Sequence, residues 1–356
     1  MSTINANPKV SYLPSSDLAI TNAADALIRG ELIAFPTETV YGLGADAENP
    51  DAVAHIYRAK GRPSNHPVIV HVAPEADLSH WVAALPWQAE RLIAAFWPGP
   101  LTLILKRAAH INPAVSGGQD SIGMRCPSHP VAMKLLRAFA AMKPSGQGGV
   151  AAPSANKFGH VSPTRASHVR DEFPDLIDAG MPVLEGGASD VGIESTIIDL
   201  SRVDQGVGPV LLRPGFITAK EIEKVLGEKV GEPDAQAPRV SGALKSHYAP
   251  STPLALAPIE VLKKIASQPK LSNGGRVAVV SYSMQPTDIV VNAHVDWIHC
   301  SNNPEVFAHD LYAQLRDLDK LGYEQIIYEQ VPSNSDWFGI QDRLMRAAAG
   351  NEDTVD

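Results

Sequence analysis

Apolar residues recur at helical spacing over residues 16–29, stop at Gly30, and give way to the apolar run ELIAF at 31–35. The first pattern predicts an amphipathic helix with a glycine just past its end, and the second a short buried strand. Asn49-Pro50-Asp51 then carries a side-chain cap followed by proline, which starts a helix running to about Lys60. Further strands are predicted at VIVHV (68–72), LTLILK (101–106), SIGMRC (121–126), STIIDL (195–200) and PVLLR (209–213). Helices are predicted around 75–95, 130–142, 164–172 and 219–226. Residues 228–253 are rich in Gly, Pro, Ser and Ala without a period and read as a linker or crossing loop. A second pattern follows, with strands at 276–282, 295–300 and 324–331 and helices at 304–321 and 339–349. The alternation predicts an α/β class, divided into 1–215, a linker or lid at 216–253, and 254–356.

Bulk properties agree with two cores. The chain has 356 residues, 44% of them hydrophobic, more than one core usually needs. Its formal charge of −9 argues against a generic phosphate-backbone binder, although a local basic pocket remains compatible with it. Two cysteines supply neither a disulfide framework nor a cysteine-rich metal site. No apolar run approaches a membrane span and MSTINANPKV lacks a signal pattern, so a cytoplasmic protein is expected.

The stretch FPTETVYGLGADA (35–47) matches the loose dinucleotide pattern G-x-G-x-x-G/A. That fingerprint needs its first glycine directly after a strand and a helix opening inside the motif. Here Pro36 to Tyr41 intervene and the helix waits until Pro50, so the geometry fails. Gly42 and Gly44 are instead expected to permit a tight turn or positive φ that presents Thr37-Glu38-Thr39 at a strand end. On spacing alone, a structural turn is an equally good reading of that segment.

Two other clusters can hold a small polar ligand. Lys60 and Arg62 in KGRP end a helix, where cations more often serve the helix dipole. APSAN (152–156), followed by Ser162-Pro163-Thr164, places small hydroxyl and amide groups after a strand and before a helix, as a phosphate or ribose cradle would. By itself, simple turn and capping chemistry at Ser162 is the better reading of it. His66 and His71 do not make a metal site: their odd separation points them to opposite strand faces and no third ligand supports them. Cys126 is expected to be a small core residue.

Taken in order, PTETVYGLG, KGRP, HPVIVHV, WPGPLTLIL, IGMRCP, APSAN, STIIDL and LRPG resemble the Sua5/YrdC family of threonylcarbamoyl-AMP synthases. The resemblance runs from about residue 15 to 250, and HYAP (247–250) with a further α/β domain is similar to the long Sua5 form. It implies a YrdC-like twisted sheet domain with a concave active-site cavity, plus a smaller Rossmann-like C-terminal domain without a glycine phosphate loop. It also implies synthesis of L-threonylcarbamoyladenylate from L-threonine, bicarbonate or CO2 and ATP. Pyrophosphate is released, and the product serves a downstream transferase that modifies tRNA.

By motif position the resemblance implies that Lys60, Arg62, Ser154 and Asn156 are catalytic. Thr39, His71, Arg125, Ala152 and Ser195 would bind L-threonine, Arg125 clamping its carboxylate. Arg62, His66, Ser121, Ser154, Ser162, Arg213 and Tyr248 would contact ATP, with His66 standing where many relatives carry asparagine. Mg²⁺ would accompany ATP without protein ligands, and Glu38 has no role. Because the product anhydride hydrolyses readily, residues 228–253 are expected to cover the cavity, with His247 and Tyr248 reaching the nucleotide.

Two alternatives stand beside this reading. A double-stranded RNA-binding module of YrdC type would bind without ATP turnover, against which count the acidic balance and the lack of aromatic-basic RNA motifs. A carbamoyl transferase of the hydrogenase-maturation type would need cysteine-rich zinc motifs that two cysteines cannot supply.

Overall fold

The computed structural model describes residues 15–268 and 275–350. The first part of the chain runs α1 (Asp17–Ile28), β1 (Ile33–Phe35), β2 (Gly42–Asp46), α2 (Pro50–Lys60), β3 (Ile69–His71), α3 (Trp87–Phe96), β4 (Leu101–Lys106) and β5 (Ser121–Arg125). It continues through α4 (Pro130–Met142), β6 (Val150–Ala151), α5 (Ala166–Glu172), α6 (Pro174–Asp178), β7 (Thr196–Asp199), β8 (Val210–Arg213) and α7 (Ala219–Leu226). Among the described residues its strands form one mixed eight-stranded sheet, ordered β1-β2-β6-β3-β5-β4-β7-β8. Helices α1 and α4 pack together with Ile33, Phe35 and Val150, whereas α2, α3 and α7 join the larger core around Leu43, Val70 and Leu103.

Local chemistry sets the helix ends. Ser16 caps α1, and Asn49 caps α2 by accepting from the amides of Asp51 and Ala52. Gly61 ends α2 at φ 63°, a left-handed conformation that costs glycine little. The helix predicted over 75–95 is broken: a 3₁₀ turn at Leu78–His80 precedes Pro86, and α3 begins only after that proline. The helix predicted over 164–172 starts at Ala166, so the helix N-terminus expected directly behind Ser162 lies four residues further on.

The glycines of the opening motif correct the sequence expectation. Gly42 and Gly44 lie inside β2, paired with Phe35 and Ile33 of β1, and neither has positive φ. They are needed for space: a Cβ on Gly44 would meet Val150 Cγ1 at 2.9 Å and the Phe35 ring at 3.0 Å. The turn is made by the preceding residues. Thr37 Oγ1 accepts from the Val40 and Thr39 amides and donates to the Val40 carbonyl at 2.6 Å.

The C-terminal domain contains β9 (Leu254–Ala257), α8 (Ile259–Ser267), β10 (Val277–Ser281), β11 (Val295–His299), α9 (Pro304–Asp319), β12 (Gln325–Glu329) and α10 (Phe338–Ala349). Its strands form an all-parallel sheet ordered β11-β10-β12-β9. The order reverses between β10 and β12, where a Rossmann-like sheet would offer a ligand crevice. Glu329 fills that place: its carboxylate accepts from the Tyr282 and Ser283 amides and from both the Ser281 and Ser283 hydroxyls. The core of this domain continues into the first one through Val40, Val161, Ile193 and Tyr248. Among the described residues no helix is long and apolar enough to cross a membrane.

Gly44→Ala is expected to lower unfolding free energy by about 1–3 kcal/mol through overpacking. Urea denaturation checks this; an unchanged midpoint would show that the β2 face has slack.

Candidate active site

Strand register brings the polar residues together. β3 and β5 run parallel with His71 opposite Arg125, so both side chains emerge on one face as neighbours. The PTETVY loop is stitched to the two later loops through its main chain. The Tyr41 amide donates to the Pro163 carbonyl, the Leu43 amide to the Pro153 carbonyl, and the Ala155 amide to the Tyr41 carbonyl. The result is a narrow cavity between the sheet and the linker. Thr39, His71, Arg125 and Ala152 line one part, and Ser154, Ser195, Arg213 and Tyr248 also stand on its wall.

Other residues singled out in the sequence lie elsewhere. The Lys60 ammonium donates to the main-chain carbonyls of Ser154 and Asn156, so it clips the APSAN loop in place from behind. Asn156 spends its amide N–H groups on the Lys157 and His160 carbonyls, while its Oδ1 finds no partner among the described residues. Ser162 neither caps a helix nor faces the cavity; its hydroxyl donates to Glu194 at 2.6 Å. Ser121 lines an adjoining space of about 270 Å³ that shares Ile69 and Ser241 with the main cavity. His66 packs edge-on against Phe158 outside the wall.

Two carboxylates were missed or left without a role. Glu38 is buried, pairs with Arg125 Nη2 at 2.7 Å, and accepts from the Ser128 amide at 3.1 Å. Arg125 Nε also donates to the Gly99 carbonyl at 3.4 Å, so its planar group is oriented from within the fold and only part of the fork stays available to a ligand. Glu194, beside Ser195, accepts from Ser162, from Tyr312 at 2.9 Å and from Arg343 at 2.8 Å. Arg343 and Arg213 hold its carboxyl down at about 2 against the push of burial. Only its position next to the STIIDL strand could have pointed to it.

The cationic side is a cluster of like charges. Burial lowers Arg62 to about 10, with Arg213 adding to the fall, and burial also lowers Arg213, with Arg343 adding to it. Burial and Arg62 push the Lys60 ammonium well down. The linker crosses these groups. Ser241 Oγ lies 3.4 Å from both terminal nitrogens of Arg62, and the Ser241 carbonyl accepts from Arg213 at 2.9 Å. Further on, Tyr248 is buried with φ 63°, met edge-on by the His247 ring and lying 5.4 Å beneath the Arg343 guanidinium. Its hydroxyl and the Arg62 Nε find no partner among the described residues. Burial raises the Cys126 thiol to about 12, in keeping with a core residue.

The lining does not supply a metal site of its own. Its carboxylate, Glu194, has both oxygens engaged by protein donors, and no metal-holding group of His, Cys, Asp or Glu occurs among the described residues.

Burial first, then nearby arginines, lowers His71 to about 3; burial likewise lowers His247 to about 3. Both are neutral in the folded protein near neutrality, whereas the unfolded chain protonates them near 6.5. The unfolded state therefore binds more protons between those values, and stability falls as pH drops from about 6.5 toward 3. His247→Gln is expected to flatten the stability–pH curve between about pH 4 and 6 by up to about 1.4 kcal/mol per pH unit, with no change in slope above about pH 7. Urea titrations across pH check it, and an unaltered slope would mean His247 is protonated in the fold.

Comparison with known proteins follows this geometry closely. Residues 25–215 match the Sua5_yciO_yrdC family, described as "Telomere recombination", and residues 217–349 match the family described as "Threonylcarbamoyl-AMP synthase, C-terminal domain". A threonylcarbamoyl-AMP synthase of Bacillus subtilis is 39% identical over 346 residues, covering 95% of each chain. One of Pyrococcus abyssi is 35% identical, covering 92% of this chain and 93% of its own. The crystal structure of P. abyssi Sua5 complexed with L-threonine superposes with a TM-score of 0.80 at 33% identity, over 94% of this chain and 95% of that one. With both families matched in order and full-length relatives above 30% identity, the chain belongs to the Sua5/YrdC family of threonylcarbamoyl-AMP synthases, in the long form that carries the C-terminal domain.

Proposed function

We propose that the cavity is where L-threonine and ATP meet, in the family activity that this chain carries out: synthesis of L-threonylcarbamoyladenylate with release of pyrophosphate. The observation that supports this placement is the joining, on the wall of one cavity, of an oriented Arg125 with the buried Arg213, next to which Arg62 is held through Ser241, the linker residue that both Arg62 and Arg213 contact. Such a cluster is costly alone and is relieved by a polyanion.

On this reading Thr39, His71, Arg125, Ala152 and Ser195 receive L-threonine, with Arg125 taking the carboxylate through the part of its fork that Glu38 and Gly99 leave open. The threonine amine, ordinarily protonated near neutrality, loses a proton more readily in a dry pocket beside cations and neutral imidazoles. Its nitrogen bonds to the carbon of CO2, or of bicarbonate with loss of water, giving a carbamate. A carbamate oxygen then attacks the α-phosphorus, the bond to the bridging oxygen breaks, and pyrophosphate departs. That step calls for positioning and charge neutralisation. Arg62 and Arg213 supply the charge, with Ser154 and Tyr248 at the nucleotide, Ser121 in the adjoining space, and His66 and Ser162 at its margin. Lys60 and Asn156 act by fixing the APSAN loop. Mg²⁺ bound to ATP would supply further charge neutralisation at the phosphates.

The linker must lift Ser241 from Arg62 and Arg213 to admit phosphates, and its return with His247 and Tyr248 keeps water from the anhydride. The product then serves a separate transferase that places the threonylcarbamoyl group on tRNA adenosine.

With labelled bicarbonate, pyrophosphate release is expected to require L-threonine and to match labelled adenylate. In the same assay Arg62→Ala should raise KM for ATP about tenfold or more, a loss of at least ~1.4 kcal/mol, while Thr39→Ala raises mainly KM for threonine. Threonine-independent release, or identical effects of both variants, would defeat the assignment. Glu38→Gln should weaken threonine binding by loosening Arg125 while leaving KM for ATP within about twofold; unchanged KM for threonine would show that Arg125 needs no internal partner.

A further inference from the structure

The C-terminal domain reaches the cavity wall through Tyr312 and Arg343, and Arg343 makes the more divided contact. Arg343 on α10 is 1% exposed, and its guanidinium is divided among three separate segments of the cavity wall. Its Nε donates to Glu194 Oε2 at 2.8 Å and its Nη2 to the Glu194 carbonyl at 3.3 Å, one residue before Ser195. Its Nη1 donates to the Pro214 carbonyl at 2.8 Å, one residue after Arg213. Its plane lies over the ring of Tyr248, the linker residue held at positive φ.

The two wall segments are also bonded to each other, since Arg213 donates to the Ser195 carbonyl at 2.8 Å and to its hydroxyl at 3.1 Å. The backbone is built to let the C-terminal helices come this close. A Cβ on Gly339 of α10 would meet the Gly215 carbonyl oxygen at 3.0 Å, and one on Gly215 would meet the Thr196 amide at 2.5 Å. On the other side of the same loop, a Cβ on Gly192 would run into the main chain of α9 at Ala308 and His309. The Glu194–Ser195 loop is thus clamped between α9 and α10, with Tyr312 of α9 adding its hydroxyl to Glu194.

We infer that Arg343 is a positioning residue for the ATP half of the active site, and that through it the C-terminal domain takes part in the reaction without touching substrate. Its planar fork with three fixed directions suits the task; a lysine keeps the charge for Glu194 but cannot also span to Pro214 and cover Tyr248.

The inference rests on the cavity being the threonine and ATP site, and the test separates the two. Wild type, Arg343→Lys, the neutralised double variant Glu194→Gln/Arg343→Gln, and Lys320→Met are compared for folding by near-ultraviolet circular dichroism and for threonine-dependent pyrophosphate release. Lys320→Met breaks an exposed ion pair to Asp171 across the same domain boundary, and serves as the control for simple loosening of the interface.

Arg343→Lys is expected to remain folded, to raise KM for ATP at least tenfold, and to lower kcat, while Lys320→Met matches wild type. If Arg343→Lys does not fold, the double variant, which removes the buried Glu194–Arg343 pair together and leaves Asp342 paired with Arg346, is expected to give the same rise. A folded variant with wild-type KM for ATP and only a smaller maximal rate would overturn the inference, since a loss of folded molecules changes the amount of active enzyme and not its KM. A wild type that releases no threonine-dependent pyrophosphate would instead sink the reading of the cavity, and this inference with it.

Discussion

Glu194 is an ionised carboxylate with almost no contact with water, and such a group survives only when its oxygens are matched by donors that the fold delivers. Those donors come from three places: Ser162 in the first domain, Tyr312 on α9 and Arg343 on α10. Removing one partner from a buried pair of this kind costs about 3–5 kcal/mol, so the two domains are bound to one relative placement. Arg316 reinforces it by pairing with Glu172 and donating to the carbonyls of Val161 and Ser162. The cavity wall inherits its geometry from this junction, because Ser195 follows Glu194 directly and Arg213 is bonded to Ser195.

Charge elsewhere in the site is arranged for a ligand more than for stability. Arg125 is neutralised internally by Glu38, which leaves it oriented. Arg62 and Arg213 have no ion pair of their own among the described residues: their hydrogen-bond partners are hydroxyl and carbonyl oxygens of Ser241, Pro67 and Ser195, although the Glu194 carboxylate supports Arg213 from nearby. Arg213 in turn depresses Arg62. The linker covers them meanwhile with neutral acceptors, which compete weakly with phosphate oxygens.

Tyr248 shows how the junction and the linker depend on each other. A non-glycine residue at positive φ costs on the order of 1–3 kcal/mol and persists only where its surroundings over-determine it. Here His247, Tyr312 and Arg343 enclose the ring on several sides, and Gly242 at φ 75° leaves room for its hydroxyl. Tyr312 and Arg343 belong to the C-terminal domain, so the strained linker backbone is held partly from outside the linker.

Local pattern in the sequence was enough for most elements. α4 and α7, set by Pro130 and by the Thr218 capping box, and β4, set by its apolar run, start and end where periodicity and caps place them. β2, β6 and β9 escaped because glycine-rich or very short strands carry no period of their own and exist only through their partners. The ordered motifs carried the family and the residue types of the site, since recognition of an amino acid and a nucleotide restricts the side chains that can serve. What Gly42, Glu38, Glu194 and Arg343 do was decided by tertiary structure alone: close packing against Phe35 and ion pairs between residues 87 and 149 positions apart are set by where the chain returns in space, and no local periodicity encodes that return.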